Sequence, residues 1–195
     1  MKKHLIIGGS GYLGDKLKSY LQKREFEVSY TSRKGSNGAI NFDLLEPESI
    51  LKIDLQSYET VFISAAISSP DTCTNDFDYA WKVNVTCTAE LINILLDKGV
   101  KIVFFSSDTV YGEQVQAFDE SIKCKPLGQY GIMKHEIEKM FQKSDQFKAI
   151  RLSYVFSKLD KFTKYLLYVS KKGEVAEVFH PLIRSVIYLE DVLEG

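Results

Sequence analysis

Short apolar runs alternate along the chain with longer stretches whose apolar residues recur every three or four positions. HLII (4–7), EVSYT (27–31), AINF (39–42), TVFISAA (60–66), KIVFFSS (101–107) and KAIRLSYV (148–155) are brief and apolar enough to read as strands. Leu13, Leu17, Tyr20 and Leu21 fall at helical spacing after the first of them. Ala80, Val83, Cys87, Leu91 and Ile94 share one stripe of a long helix predicted over 76–97. Further helices are predicted over 130–142 and about 160–171, with a late strand over 183–188. The polar segments RKGSNG (33–38) and GEQVQAFDESIKCKPLGQ (112–129) read as loops. Strand–helix alternation of this kind predicts an α/β fold with a doubly wound parallel sheet, because right-handed crossovers need intervening helices. Residues 1–155 are expected to form the core, and 156–195 its continuation and the start of a second, short lobe.

Composition narrows the partners more than the fold. A formal net charge of −1 gives no bulk reason to expect nucleic acid or an anionic membrane. Cys73, Cys87 and Cys124 are odd in number and lack CxxC spacing, which suits structural thiols in a reducing compartment. In MKKHLII the apolar run ends after three residues, too short for a signal core or a membrane span, so a cytoplasmic location is expected. His4, His135 and His180 are scattered, and no metal site is expected from their spacing.

The candidate chemistry begins at GGSGYLG, where Gly8, Gly11 and Gly14 stand three apart after the first strand and open the first helix. A tight turn there needs a residue without Cβ, and a helix N-terminus offers unpaired N–H groups to a pyrophosphate. The second strand ends in YTSRK. A carboxylate at that point would accept from the adenosine ribose hydroxyls. Ser32, Arg33 and Lys34 instead suit a 2′-phosphate, which favours NADP(H) over NAD.

A tyrosine followed four residues later by a lysine occurs five times: Tyr12/Lys16, Tyr30/Lys34, Tyr130/Lys134, Tyr154/Lys158 and Tyr168/Lys172. In a doubly wound sheet, ligand chemistry occurs at the carboxyl ends of the strands. Only Tyr130/Lys134 combines a predicted helix with a hydroxyl, Ser107, at a preceding strand end. At about 100° per residue, Tyr130, Lys134, Ile137 and Phe141 share a stripe, while His135, Lys139 and Lys143 point the other way. An ammonium on an inward stripe needs a partner. Together with a positively charged nicotinamide, it is expected to lower the Tyr130 pKa and let the phenol exchange a proton with substrate.

GxxGxxG, SSDTVYG (106–112) and the later Tyr130–Lys134 pair resemble the extended short-chain dehydrogenase/reductase superfamily. VFISAAISSPDTCTNDFDYAWKVNV (61–85) is similar to its dTDP-4-dehydrorhamnose reductase branch. The resemblance implies a Rossmann fold with Ser107, Tyr130 and Lys134 as catalytic residues, and Lys134 also holding the nicotinamide ribose. It implies cofactor contacts from Gly8, Gly11, Tyr12, Leu13 and Gly14 in the loop and from Ser32, Arg33 and Lys34 after the second strand. Asp43 and Leu44 would lie near the adenine, and Ala65 and Ala66 would let the cofactor pass close to the backbone. Asn84 would help order the site. The implied reaction is reduction of a keto group on a nucleotide sugar, with NADP or NAD as cofactor, in a homodimer. The dimer surface would include the long helix and the Tyr–Lys helix, with Phe141 and Trp81 either in it or in the core. Asp108 is followed by Thr109 where dehydratases of this branch carry an acid, which argues against dehydration. Epimerisation stays open, as does an NADP-binding regulatory subunit without turnover. Arg184 is a candidate partner for a substrate pyrophosphate or for a structural ion pair.

Overall fold

The computed structural model describes residues 3–35, 37–114, 117–158, 160–178 and 185–195. The chain divides into two compact units, Met1–Arg151 and Leu152–Gly195.

The first unit is built on six strands: β1 (Lys3–Ile7), β2 (Glu27–Ser32), β3 (Ile40–Asn41), β4 (Thr60–Ile63), β5 (Lys101–Ser107) and β6 (Phe147–Leu152). Their order in the sheet is β3-β2-β1-β4-β5-β6, and β1·β2, β2·β3, β1·β4 and β4·β5 are parallel. Leu5, Ile6 and Ile7 are wholly buried, as expected of a central strand covered on both faces. Direction along the sheet reverses at β1: the chain moves outward to β2 and β3, then returns to pair β4 on β1's other side. Such a switch point opens a crevice at the carboxyl ends of the strands.

The helices are α1 (Tyr12–Lys23), α2 (Pro70–Asn75), α3 (Phe77–Trp81), α4 (Thr88–Asp97) and α5 (Gly128–Phe141). The long helix expected over 76–97 is helical from Phe77 to Asp97, but residues Lys82–Cys87 form a π turn between α3 and α4. The extra residue broadens the buried stripe, so Val83, Asn84, Val85, Cys87 and Thr88 are all enclosed. Helix α2 and the two 3-10 turns that carry the crossover from β3 to β4 (Pro47–Lys52 and Leu55–Ser57) have no counterpart in the sequence reading.

Two expected strands are shorter. β4 stops at Ile63, not at residue 66, because the N–H groups of Ser64 and Ala65 both turn to the Ile7 carbonyl where β1 itself ends. The strand expected over 148–155 is interrupted at Ser153. Its first part is β6, and its last part is β7 (Tyr154–Phe156), which pairs in parallel with β8 (Val186–Tyr188) in a separate sheet of the second unit. That unit also holds α6 (Lys161–Lys172), capped by Asp160 accepting from the N–H groups of Phe162 and Thr163, and α7 (Leu189–Glu194). Arg184 and His180 lie outside the described residues.

Candidate functional site

The glycine loop is shaped by contacts that exclude a side chain. Gly8 has φ +87°, a conformation L side chains rarely adopt, and a Cβ there would sit 2.8 Å from the Ala65 nitrogen. At Gly14 a Cβ would fall 2.4 Å from the Gly8 carbonyl oxygen, so α1 reaches the β1 turn only because this position is bare. Gly11 is the N-cap of α1 and offers no side-chain cap, which leaves the first-turn N–H groups to face outward. The Gly8 N–H donates to Thr31 Oγ1 at 3.1 Å, and Ser64 Oγ donates to the Ile7 carbonyl at 2.9 Å. Thr31 lies within YTSRK and Ser64 within VFISAA, but neither was picked out as a site residue, since each works through backbone groups of the turn.

A cleft of about 270 Å³ opens at this switch point. Its walls bring together Gly8, Gly11, Ser32, Arg33, Asp43, Leu44, Ala65 and Ala66, all expected from sequence, with Thr31, Ile67 and Tyr79, which were not. Leu13 and Gly14 lie behind it in the first turn of α1, while Tyr12 is exposed there. Arg33 and Lys34 are exposed and line, with Ser10 and Ser32, an adjoining hollow of about 480 Å³. Asp43 accepts from the Leu45 N–H at 3.0 Å, which fixes the turn after β3. A loop with positive φ, an uncapped helix N-terminus and a cleft with two cations at one end fit a phosphorylated dinucleotide.

Asn84 does not line this cleft. Its Nδ2 donates to the Ile67 carbonyl and its Oδ1 accepts from the Ile67 N–H, both at 2.8 Å. Nδ2 also reaches Met133 Sδ at 3.5 Å, so the asparagine ties the cleft wall to α5. The Cys73 thiol donates to the same Ile67 carbonyl at 3.3 Å.

The structure separates the five tyrosine–lysine pairs by burial. Lys16, half-buried on α1, lies 3.5 Å from Asp15, and the Tyr30 hydroxyl donates to the Asn37 carbonyl. In the second unit, the Tyr154 hydroxyl donates to Asp160, and Lys172 lies over the exposed Tyr168 ring. Lys134 alone among these lysines is buried, at 3% exposure, and Tyr130 is half-buried. The Lys134 amine donates to the Phe105 carbonyl at 2.7 Å and sits 4.3 Å from the Phe104 ring centroid. The turn at Gly131 comes so near the 3-10 turn that follows β5 (Asp108–Tyr111) that a Cβ would meet the Thr109 carbonyl oxygen at 2.9 Å. Ser107, buried at the end of β5, donates to Asp108 Oδ1 at 3.2 Å and accepts from Thr109 Oγ1 at 3.0 Å.

The electrostatics differ from expectation. Burial, helped by Cys73 and Asp108, pushes the Tyr130 phenol up to about 12. Burial also pushes the Lys134 amine down to about 7, against weaker opposing effects of Glu138 and Cys73. An amine with that value is only about half protonated at neutral pH. The protein's own groups therefore raise the phenol pKa, where a full ammonium was expected to lower it.

Phe141 is in the core, with its ring 5.6 Å from that of Phe147; Trp81 is half-buried beside Phe77. On α5, His135 was expected to point outward but is half-buried. Glu138 is enclosed and accepts from Arg151 through both carboxylate oxygens. Arg151 in turn lies over the Tyr111 ring at 4.7 Å. The nearby segment 117–127 also brings Cys124 close to His135 and Glu138. A His-x-x-Glu spacing at 135–138 was the one sequence signal for this cluster. No helix among the described residues is long and apolar enough to cross a membrane.

The sequence model of the NAD dependent epimerase/dehydratase family matches residues 4–194. An ADP-L-glycero-D-manno-heptose-6-epimerase of Brachyspira hyodysenteriae is 27% identical over 172 residues, 88% of this chain and 47% of its own. A GDP-6-deoxy-D-talose 4-dehydrogenase of Aggregatibacter actinomycetemcomitans is 29% identical over 162 residues, covering 80% and 53%. The chain thus spans about half the length of these curated relatives. Among solved structures, a dTDP-4-dehydrorhamnose reductase of Bacillus anthracis in complex with NADP superposes with a TM-score of 0.86. It is 22% identical, and the match covers 100% of this chain and 69% of that one. A UDP-glucose 4-epimerase of Thermotoga maritima with UDP-glucose gives 0.83 at 21% identity, covering 98% and 71%. At these identities the superpositions establish the shared fold.

Proposed function

The chain belongs to the NAD dependent epimerase/dehydratase family, and from that premise we propose that it is an NAD(P)-dependent oxidoreductase reducing a keto group on a nucleotide sugar. The observation that carries this reading is the enclosed Lys134 amine beside Tyr130, at the end of the strand that presents Ser107. A merely structural lysine would keep its amine in water, since desolvating it is costly. When bound, a nicotinamide dinucleotide supplies the hydride. The residues do the rest. Backbone N–H groups of the Gly8–Gly14 turn hold the pyrophosphate, with Tyr12 and Leu13 at the opening of α1. Asp43 and Leu44 border the adenosine, and Ala65 and Ala66 leave room for close passage. Asn84 positions the Ile67 wall. Tyr130 gives a proton to the substrate carbonyl oxygen, Ser107 hydrogen-bonds that oxygen, and Lys134 holds the nicotinamide ribose.

Ser32, Arg33 and Lys34 support NADP(H) over NAD, because two cations and a hydroxyl meet a 2′-phosphate where no carboxylate accepts from the ribose. Epimerisation is the second reading, favoured by the similarity to the heptose epimerase. The same proton-transfer groups would serve it.

A screen of nucleotide keto-sugars at fixed protein, following NADPH absorbance and product stereochemistry, tests the proposal. Stoichiometric NADPH loss with alcohol formation supports reduction. Inverted product without net NADPH loss identifies an epimerase. Tight NADPH binding with neither outcome overturns the enzyme reading in favour of a binding subunit. NADH binding tighter than NADPH would reverse the cofactor assignment.

A further inference from the structure

Against α5, next to Lys134 in the chain and one turn beyond it, three side chains of different chemistry converge. Cys124 comes from the segment before α5, and His135 and Glu138 stand three residues apart on the helix. A sulfur, an imidazole nitrogen and a carboxylate oxygen lie within 4.8 Å of one another. Among the described residues His135 Nδ1 is buried without a hydrogen-bond partner, and its 3.7 Å separation from Glu138 Oε2 is too long to supply one. Buried polar atoms of this kind usually have a partner, so the orphaned nitrogen calls for one.

We propose that Cys124, His135 and Glu138 bind one divalent transition-metal ion of the zinc class, with water in the fourth position. The donor set selects the ion. Thiolate and imidazole suit Zn²⁺ or Co²⁺, whereas Mg²⁺ and Ca²⁺ want oxygen throughout. Thiolate and carboxylate together neutralise a dication, and the imidazole adds no charge. Arg151 does not compete for the same lone pairs. It grips Glu138 with Nε 3.1 Å from each oxygen and Nη2 2.7 Å from Oε2. Oε2 accepts from both Nε and Nη2, but Oε1 accepts from Nε alone and keeps a second acceptor direction for the ion, while the bound guanidinium orients the ligand as an outer partner. Metal–ligand lengths of about 2.0–2.3 Å place tetrahedral donors roughly 3.3–3.8 Å apart. Closing the cluster to that spacing takes a movement of about 1 Å, which the Cys124 segment can make because it carries no helix or strand. A cavity of about 570 Å³ bordered by His135, Glu138 and Arg151 admits the water. The ion fastens the segment before α5 onto the helix that carries Tyr130 and Lys134.

Reduced, metal-free chain is titrated with Co²⁺ alone and then with Zn²⁺. The expected result is one equivalent of Co²⁺ with a thiolate charge-transfer band, displaced by Zn²⁺. Zn²⁺ also shields Cys124 from iodoacetamide, while Cys73 and Cys87 are buried throughout. Cys124→Ser abolishes the band, and it and His135→Gln each weaken Zn²⁺ binding about tenfold or more. Circular dichroism checks that both variants fold, and the alkylation readout on the unaltered chain stands without them. Absence of stoichiometric binding at micromolar metal, unchanged alkylation of Cys124 with Zn²⁺, or affinity indifferent to both substitutions overturns the proposal.

Discussion

At the β1–α1 turn the backbone makes the site, whereas at the β5–α5 junction buried side chains make it. The turn depends on missing atoms: a Cβ on Gly8 or Gly14 would collide with Ala65 or with the Gly8 carbonyl. The junction depends on an amine and a phenol taken out of water, each with a pKa moved by its surroundings. The turn should therefore fail by steric strain, which costs stability and cofactor affinity together. The junction should fail chemically, with the fold intact.

The largest effect tests the chemical side. Tyr130→Phe removes the proton donor without changing shape, and turnover should fall by about 10² to 10⁴-fold. NADPH affinity and thermal unfolding should stay near those of the parent chain. Comparable turnover in the two proteins would deny Tyr130 its role. Gly14→Ala tests the steric side and should cost about 1–3 kcal/mol in denaturant unfolding, with weaker NADPH binding. A stable variant with full NADPH affinity would break the contrast.

Per pH unit, the most gradual effect concerns the buried amine. Lys134 has a folded value of about 7 against an ordinary 10.5. Between them the unfolded chain holds a proton that the folded chain lacks, so stability rises with pH across that window. The slope is up to about 1.4 kcal/mol per pH unit, ending below 7 and above 10.5. Lys134→Met should remove it, and unfolding curves at pH 7, 8 and 9 for both proteins give the difference. A difference that is constant over this range would mean that the amine stays charged in the fold.

Legibility followed the range of the interactions. Gly8, Gly11 and Gly14 are close in sequence and act on one local turn, so their spacing was enough to place them. That Lys134 would be the enclosed lysine of the five pairs was legible because α5 is periodic and Lys134 falls on its inward stripe. The π turn at Lys82–Cys87 was not, since its pattern differs from an α-helix by a single residue. The end of β4 was hidden too, because TVFISAA is apolar beyond Ile63 and only the Ile7 carbonyl halts the ladder.

By itself, then, the sequence determined the alternation of strands and helices, the bare turn after β1 and the cations after β2, all set within a few residues by sterics, periodicity or charge. Tertiary structure alone decided that Asn84 spends its amide on Ile67, that the Tyr130 phenol is raised by burial, and that Cys124 meets His135 and Glu138. Each of these depends on which distant groups exclude water from a side chain. Desolvation is a property of the assembled surroundings, and no spacing along the chain encodes it.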